Sequence, residues 1–438
     1  MILAAGKGTR MRSGRAKVLH LLGGKPLLSH CLESAASLKP RQMVVLVGHQ
    51  AEAVKKQFEK NKIPKIKWAT QREQLGTAHA VQCGLKALER KSGFLFILCG
   101  DVPLLQPDTL LKMKRLLESD TQTSLVFLVT HMSSPTGYGR IVRDEVGNIL
   151  RVVEERDATE AERNIGEINA GIYAARLEDI RRPLQKVKKN ILKGEFFLTD
   201  LVAELVREGK KVLSVTVEDE GEVLGINSRK DLARAETILQ KRIREKWFDH
   251  GVTLIHPESI HIESTVELAP DVILHPGVIL TGKSKIGRGS EVFAYSVVEN
   301  SLVGEGVRIG PFAHVRPGSV LENGSHVGNF VELKKTRLGA KAKANHLSYL
   351  GDADIGDGAN IGAGTITCNY DGFDKHRTVI GKGAFIGSDT QLVAPVVVGA
   401  GAFVGAGTTV TKNVPPNSLA LSRGQQVNIP NWARKKVR

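Results

Sequence analysis

Along residues 355 to 410 an aliphatic residue followed by a small one recurs at six-residue spacing. Ile355-Gly356 is followed by Ile361-Gly362, Ile380-Gly381 by Ile386-Gly387, and Val398-Gly399 by Val404-Gly405, with Val410 one step on. A helix would space its apolar face at about three and four residues, and a half-buried strand would alternate every two. A six-residue period predicts a parallel β-helix of short strands joined by corners. The aliphatic side chain is expected to point into the prism, and the small residue to let the chain turn. One rung cannot bury its own face, so stacked neighbours make the core. The pattern builds through Val266, Val272 and Val278, then Ile286-Gly287, Val303-Gly304 and Ile309-Gly310. It breaks between Ile366 and Val379 at Cys368-Asn369-Tyr370-Asp371-Gly372. Breaks in a solenoid are usually loops on one face, often the binding face.

The first half has a different rhythm. Apolar runs at Met43–Val47, Phe94 to Leu98 and Leu125 to Val129 predict strands, and Ala51 to Lys60 and Ala78 to Glu89 predict amphipathic helices. Alternating strands and helices imply βαβ units and a mainly parallel sheet covered on both faces. Residues Ser228 to His250 then predict one charged helix. Ser228 and Asp231 form a variant capping box, Leu232, Leu239, Ile243 and Trp247 share a side, and Gly251 is a stop. The expected organisation is an α/β domain over 1–228, a linker helix over 229–250 and a hexapeptide-repeat β-helix with a tail over 251–438.

Length agrees, since 438 residues exceed one core at about 150 residues per domain. Lys+Arg 62 against Asp+Glu 46 gives +16, which favours anionic partners, nucleic acid or phosphorylated small molecules, or is simply a solvated basic surface. Aromatic content of 5% supplies no base-stacking surface, so a nucleic-acid binder ranks last. The basic run at Arg434, Lys435, Lys436 and Arg438 reads as a tail. Cys31, Cys83, Cys99 and Cys368 show no paired or metal spacing, which implies free thiols in a reducing cytoplasm. No apolar stretch approaches about 18 residues, so a cytoplasmic protein that does not span a membrane is expected.

Three stretches of the first half carry candidate chemistry. Leu3-Ala4-Ala5-Gly6-Lys7-Gly8-Thr9-Arg10-Met11 lies between a short apolar start and a helix-compatible stretch. Such a loop either brings backbone N–H groups to phosphate oxygens or simply turns a strand into a helix. Lys17 could set a cation against a triphosphate. Asp101 follows an apolar strand, where an acid either holds Mg²⁺ at the carboxyl end of a parallel sheet or forms a turn. Gln71 to His79 offers amide, hydroxyl and backbone groups to a pyrimidine base, or is a capped helix start.

The ordered set Leu3 to Met11, Gln71…Gly76-Thr77, Gly100-Asp101, Gly137-Tyr138-Gly139-Arg140, Glu154, Asn169 and Asn227 resembles the GlmU family. These enzymes join an N-acetylglucosamine-1-phosphate uridyltransferase to a glucosamine-1-phosphate N-acetyltransferase, and the resemblance runs through essentially the whole chain. It implies a Rossmann-like nucleotidyltransferase domain followed by a left-handed parallel β-helix; the sequence period alone carries no handedness. It implies Mg²⁺ on Asp101 and Asn227, with phosphates met by Lys17 and the loop from Leu3, Ala4, Ala5 and Gly6 through Arg10, and with Gly100 beside them. Gln71, Gly76 and Thr77 would read uracil; Gly139, Glu154 and Asn169 would fix the amino sugar. For acetyl transfer it implies His346 as base and Arg316, Lys334, Tyr349 and Asn360 on the sugar phosphate. Ala363, Asn369, Tyr370, Ser388, Ala406 and Arg423 would contact acetyl-CoA. Glu332 is a candidate assistant. UTP, acetyl-CoA, glucosamine 1-phosphate and N-acetylglucosamine 1-phosphate are the implied substrates, and a homotrimer the implied assembly.

Two departures stand out. Met1-Ile2-Leu3 supplies about half a typical strand of five or six residues, so a truncated or misassigned start is expected. Ala16 stands where the family usually has proline, which loosens the expected placement of Lys17. The competing readings are a single-activity sugar-nucleotide pyrophosphorylase with a structural β-helix, and a non-catalytic assembly protein. Retention of His346, Asn369, Tyr370 and Arg423 argues against the first, and of Lys17, Asp101 and Asn227 against the second.

Overall fold

A computed structural model describes residues 1–59, 66–190, 194–422 and 424–433. Arg423, the end of the expected first helix at Lys60, and the basic run from Arg434 lie outside the described residues. The chain divides into two compact units, Met1–Leu239 and Gln240–Arg438. No helix among the described residues is long and apolar enough to cross a membrane.

The first unit is built on one sheet with the strand order Lys211–Thr216, Thr123–His131, Glu167–Arg176, Phe94–Cys99, Ile2–Ala4, Met43–Val47 and Ile66–Thr70. Along this order pairing is parallel except at Glu167–Arg176, which runs against both its neighbours; off the path, Arg140–Arg143 pairs antiparallel with it and with Ile149–Val153. Alternate strand residues enter opposite layers, as the pleat requires. Val45, Val47, Val126 and Leu128 pack with Leu28, Leu32, Val54, Phe58 and Leu110. Val44, Leu46, Leu125 and Phe127 pack with Val81, Ile180, Leu201 and Leu205. Each fully buried side chain of this size contributes about 1.5–3 kcal/mol. Continuous apolar runs, rather than alternating ones, are what a sheet covered on both faces needs. Ile2–Ala4 is three residues long and pairs on both sides.

The expected charged helix spans Arg229–Asp249. Its start is capped as predicted: the Asp231 carboxylate accepts from the Ser228 N–H at 2.8 Å, and the Ser228 hydroxyl accepts from the Asp231 N–H at 3.2 Å. Gly251, at φ +78°, ends it. The division between units falls inside this helix, not at its ends. Ala235, Leu232 and Leu239 pack on Met11, Leu22, Leu104 and Ile226 of the first unit. Gln240 donates to the Ile262 carbonyl at 3.0 Å in the second.

The second unit stacks parallel strands of two to four residues into three sheets of ten, nine and eight strands. Three columns of aliphatic side chains fill the prism. One runs Leu274, Val292, Ile309, Val327, Ala344, Ile361, Ile386 and Val404, all buried and in register. The glycines after these aliphatics have a different role from the one expected. Apart from Gly310 (φ +98°), they are not the left-handed corner residues; those come two positions later, at Gly358 (φ +66°), Gly364 (φ +74°) and Asp389 (φ +57°). Gly362 and Gly381 are small because the next coil's backbone passes over them. An added Cβ would lie 2.5 Å from Ser388 N and 2.4 Å from Ala400 N.

The break in the repeat is a loop between the strands Ile366–Cys368 and Thr378–Ile380. It closes on itself through an antiparallel bridge from Tyr370 to Lys375. The Asp371 carboxylate accepts from the N–H groups of Phe373 at 2.8 Å and Asp374 at 2.7 Å, and meets His376 Nε2 at 2.6 Å.

Candidate functional site

In the first unit the carboxyl ends of Ile2–Ala4, Ile66–Thr70 and Phe94–Cys99 surround a cavity of about 500 Å³. Leu3, Ala4, Ala5, Gly6, Lys17, Gln71, Gly76, Thr77 and Asp101 all line it, so the sequence order converges in space. Gly100 sits beside it, with its N–H bonded to the Leu3 carbonyl at 2.9 Å. Gly76 opens the helix Thr77–Leu85 with φ +100°, and a Cβ there would meet the Phe196 carbonyl oxygen at 2.4 Å. Only glycine fits that close approach. Gln71 is buried; its Nε2 donates to the Gly76 carbonyl at 3.0 Å. Gln74 and Glu195 also line the cavity and were not singled out in the sequence.

Lys17 opens a second short helical turn, Lys17–Leu19, and points its ammonium at two oxygens. It pairs with the Asp101 carboxylate and donates to Asn227 Oδ1 at 3.3 Å. The Asn227 backbone is fixed from below by Asp231, which accepts its N–H at 3.0 Å. Two hard oxygen donors already converging on one cation suit a hard divalent ion, whose remaining positions phosphate oxygens and water would fill. Among the described residues no cluster of three or more His, Cys, Asp or Glu could hold a metal alone. Cys99 lines the same cavity, and burial pushes its thiol up to about 12.

Gly139, Glu154 and Asn169 form a separate group. The Asn169 N–H bonds the Gly139 carbonyl at 2.9 Å, and Asn169 Nδ2 donates to the Tyr173 hydroxyl at 2.7 Å. Glu154 Oε1 accepts from the Thr199 hydroxyl at 2.9 Å. None of the three lines the cavity itself. Arg140 is almost fully buried, and its guanidinium donates to Glu155 at 2.6 Å, tying the Gly139 loop to the segment that carries Glu154.

In the second unit, strand register places His346, Ala363, Ser388 and Ala406 along one edge of the prism. Ala344 pairs with Ile361, Ile361 with Ile386 and Ile386 with Val404, and the four residues each follow two positions later. His346 is exposed, and its Nδ1 lies 2.8 Å from Asn329 Oδ1. An amide oxygen only accepts, so Nδ1 carries the proton and Nε2 keeps its lone pair. Asn360 lies on the neighbouring face, beside Lys343.

Around the next corner stand Arg316, Lys334 and Tyr349. Arg316 donates to Glu332 at 2.7 Å, which gives Glu332 a structural partner. The neighbouring Lys375 ammonium, and then Arg316, hold Lys334 below the usual lysine range. Arg316, Lys334 and Lys375 gather against two acids, Glu332 paired with Arg316 and Asp352 near Lys334, and the excess of positive charge suits an anion. Lys375 was invisible to the repeat pattern because the inserted loop delivers it. Asn369 is buried and donates to the Asp352 carboxylate, whereas Tyr370 is exposed. A Cβ on Gly351 would lie 2.5 Å from the Tyr349 hydroxyl and 2.8 Å from Asn369 Nδ2, so these two side chains share one wall.

Comparison with known proteins agrees with both halves. The Nucleotidyl transferase family model matches residues 1–254, and the Bacterial transferase hexapeptide (six repeats) model matches 300–335 and 377–412. The hexapeptide match accords with a left-handed β-helix. The chain is 45% identical over 449 residues to the "Bifunctional protein GlmU" of Pelobacter propionicus, covering 99% of this chain and 97% of that one. It is 45% identical to the protein of the same name from Acinetobacter baumannii (strain AYE), at 99% and 98% coverage. With that of Anaeromyxobacter sp. it shares 47% identity, at 100% and 93% coverage. Both units are spanned without a gap in kind, and the chain belongs to the bifunctional GlmU family.

Proposed function

We propose that this chain makes UDP-N-acetylglucosamine in two transfers. One moves acetyl from acetyl-CoA to glucosamine 1-phosphate; the other moves uridylyl from UTP to N-acetylglucosamine 1-phosphate. The observation that carries the reading is that each unit keeps its own constellation: Lys17, Asp101 and Asn227 in the first, His346 with a cationic cluster in the second.

In the first unit the sugar phosphate attacks the α-phosphorus of UTP and pyrophosphate leaves. Such transfers depend on positioning and charge neutralisation. Mg²⁺ held by Asp101 and Asn227 would neutralise phosphate charge when bound. Lys17 then turns its ammonium from these oxygens to the triphosphate, and the Gly6 loop offers backbone N–H groups. Gln71, Gly76 and Thr77 face uracil; Gly139, Glu154 and Asn169 hold the amino sugar.

In the second unit the sugar amine attacks the thioester carbonyl. His346 Nε2 accepts the amine proton, the C–S bond breaks, and the CoA thiolate leaves to be protonated. Arg316, Lys334 and Lys375 neutralise the sugar phosphate, with Tyr349 and Asn360 beside it. The small residues Ala363, Ser388 and Ala406 leave the edge clear for the pantetheine arm, with Asn369, Tyr370 and Arg423 as further contacts. A cytoplasmic homotrimer is part of the proposal. Its support is an exposed apolar edge, where Tyr295 stacks on Phe312 at 5.4 Å and Phe312 on Phe330 at 5.3 Å, with Leu347 next in line. The test follows CoA and pyrophosphate release separately as glucosamine 1-phosphate, acetyl-CoA, UTP and Mg²⁺ are added one at a time. Pyrophosphate release without any acetyl transfer would leave a single-activity pyrophosphorylase.

A further inference from the structure

The outer side of the helix Thr77–Leu85 borders a second cavity of about 480 Å³, separate from the nucleotide cavity. Its wall includes Cys83, His79, Lys86 and Arg181, and no acidic side chain lines it. Cys83 is partly exposed, and its Sγ lies 3.5 Å from His79 Nε2, one helical turn away. The other ring nitrogen, His79 Nδ1, lies 3.2 Å from Gln71 Nε2.

The protons along this chain can be assigned. Gln71 Nε2 also meets the Gly76 carbonyl at 3.0 Å, and a carbonyl only accepts, so the amide nitrogen is on that side. Its other N–H therefore points at His79 Nδ1, which must accept. The ring proton sits on Nε2 and is donated to the Cys83 sulfur. The Cys83 sulfur thus receives an N–H from His79 and opens on a cavity whose wall carries Lys86 and Arg181. Cys31 and Cys99 differ: burial raises both thiols, Cys99 to about 12.

We propose that Cys83 is a thiol-modification site for small anionic disulfides, and that His79 transmits its modification to Gln71. The Cys83 thiolate attacks one sulfur of the disulfide, that S–S bond breaks, a mixed disulfide forms, and the other thiolate leaves and takes a proton. Lys86 and Arg181 meet the carboxylates of the reagent. Once the sulfur is derivatised, the added group displaces the imidazole, and Gln71 loses one of its two fixed hydrogen bonds. The functional consequence rests on the proposed uracil-reading role of Gln71.

Glutathione disulfide is the probe, applied to the full chain, with peptide mapping and both activities followed. The expected result is an adduct at Cys83, a rise in KM for UTP of about tenfold, and acetyl transfer unchanged. Cys83→Ser should keep its activity and lose the response. Lys86→Glu should slow adduct formation with glutathione disulfide but not with neutral hydroxyethyl disulfide. Labelling of the other cysteines in preference to Cys83, or equal rates for both reagents in Lys86→Glu, would overturn the site. A Cys83 adduct with unchanged KM for UTP would overturn the relay. Absence of uridylyl transfer in the untreated protein would instead overturn the proposed function, while the mapping and the two reagents still read the site.

Discussion

Lys17 is held by Asp101 across the floor of the cavity in the first unit, and the same ammonium reaches Asn227. A lysine and two oxygen donors thus converge on one point. On the proposed function, Asp101→Ala removes both an anchor for the divalent ion and the restraint on Lys17. Pyrophosphate release should fall by at least about a hundredfold, a loss typical of one charge-stabilising group, while CoA release stays normal. A folded mutant that lost both activities would contradict the division of labour between the units.

His346 presents Nε2 because Asn329 occupies Nδ1. His346→Ala should abolish CoA release and spare uridylyl transfer. Asn329→Ala leaves the base in place but frees its tautomer and orientation, so kcat for acetyl transfer should drop about tenfold or more with little change in KM. Near-normal acetylation by His346→Ala would sink the base assignment.

The Lys334–Lys375 contact is unfavourable until an anion arrives. Lys375→Ala should raise KM for glucosamine 1-phosphate by about tenfold, the loss of one charge-assisted contact. The same change should return Lys334 toward its ordinary titration, readable by NMR of its side chain. An unchanged KM would remove Lys375 from the anion site.

Much of this is legible in the sequence. Ile355, Ile361, Ile380 and Ile386 announced the rungs because a repeated backbone imposes a repeated pattern of burial. The cap at Ser228 and Asp231 was readable because its bonds are local. The antiparallel insertion of Glu167–Arg176 was not, since strand direction depends on distant partners. Likewise Lys375 and Asn329 meet Lys334 and His346 across long sequence separations, and nothing beside them in the chain marks them. The glycines were found for an incomplete reason: the sequence showed smallness, and only the stacked neighbour explains it.

That explanation has a measurable cost. Gly387→Ala would set a Cβ 2.4 Å from Ala406 N, a backbone atom that cannot swing aside. Destabilisation of about 1–3 kcal/mol is expected, seen as a lower denaturation midpoint. Gly424→Ala, where a Cβ meets nothing within 4 Å, is the control. Equal midpoints for the two variants would refute the close-approach account.

Acid should loosen the inserted loop late. The N–H of Asp374, then His376 and the N–H of Phe373, hold Asp371 well below the usual carboxylate range. A depressed folded pKa means the contribution is complete above the unfolded value of about 4 and is lost only as pH falls through the lower folded value. Protection of the Phe373 and Asp374 amides from hydrogen exchange should therefore persist to about pH 4. Loss of protection already between about pH 6 and 5 would show that Asp371 is not the clasp.

The register of His346, Ala363, Ser388 and Ala406 makes the prism edge a graduated scale, one mark every 4.8 Å or so. A scale of this kind fixes how far apart the two ends of a bound carrier must lie, independently of what chemistry occurs at either. Duplicating one complete coil between Ser388 and Ala406 would leave every local contact near His346 intact and move the far mark by one division. On the proposed reading, such a chain would still take short acetyl thioesters but would discriminate poorly between them and full-length acetyl-CoA.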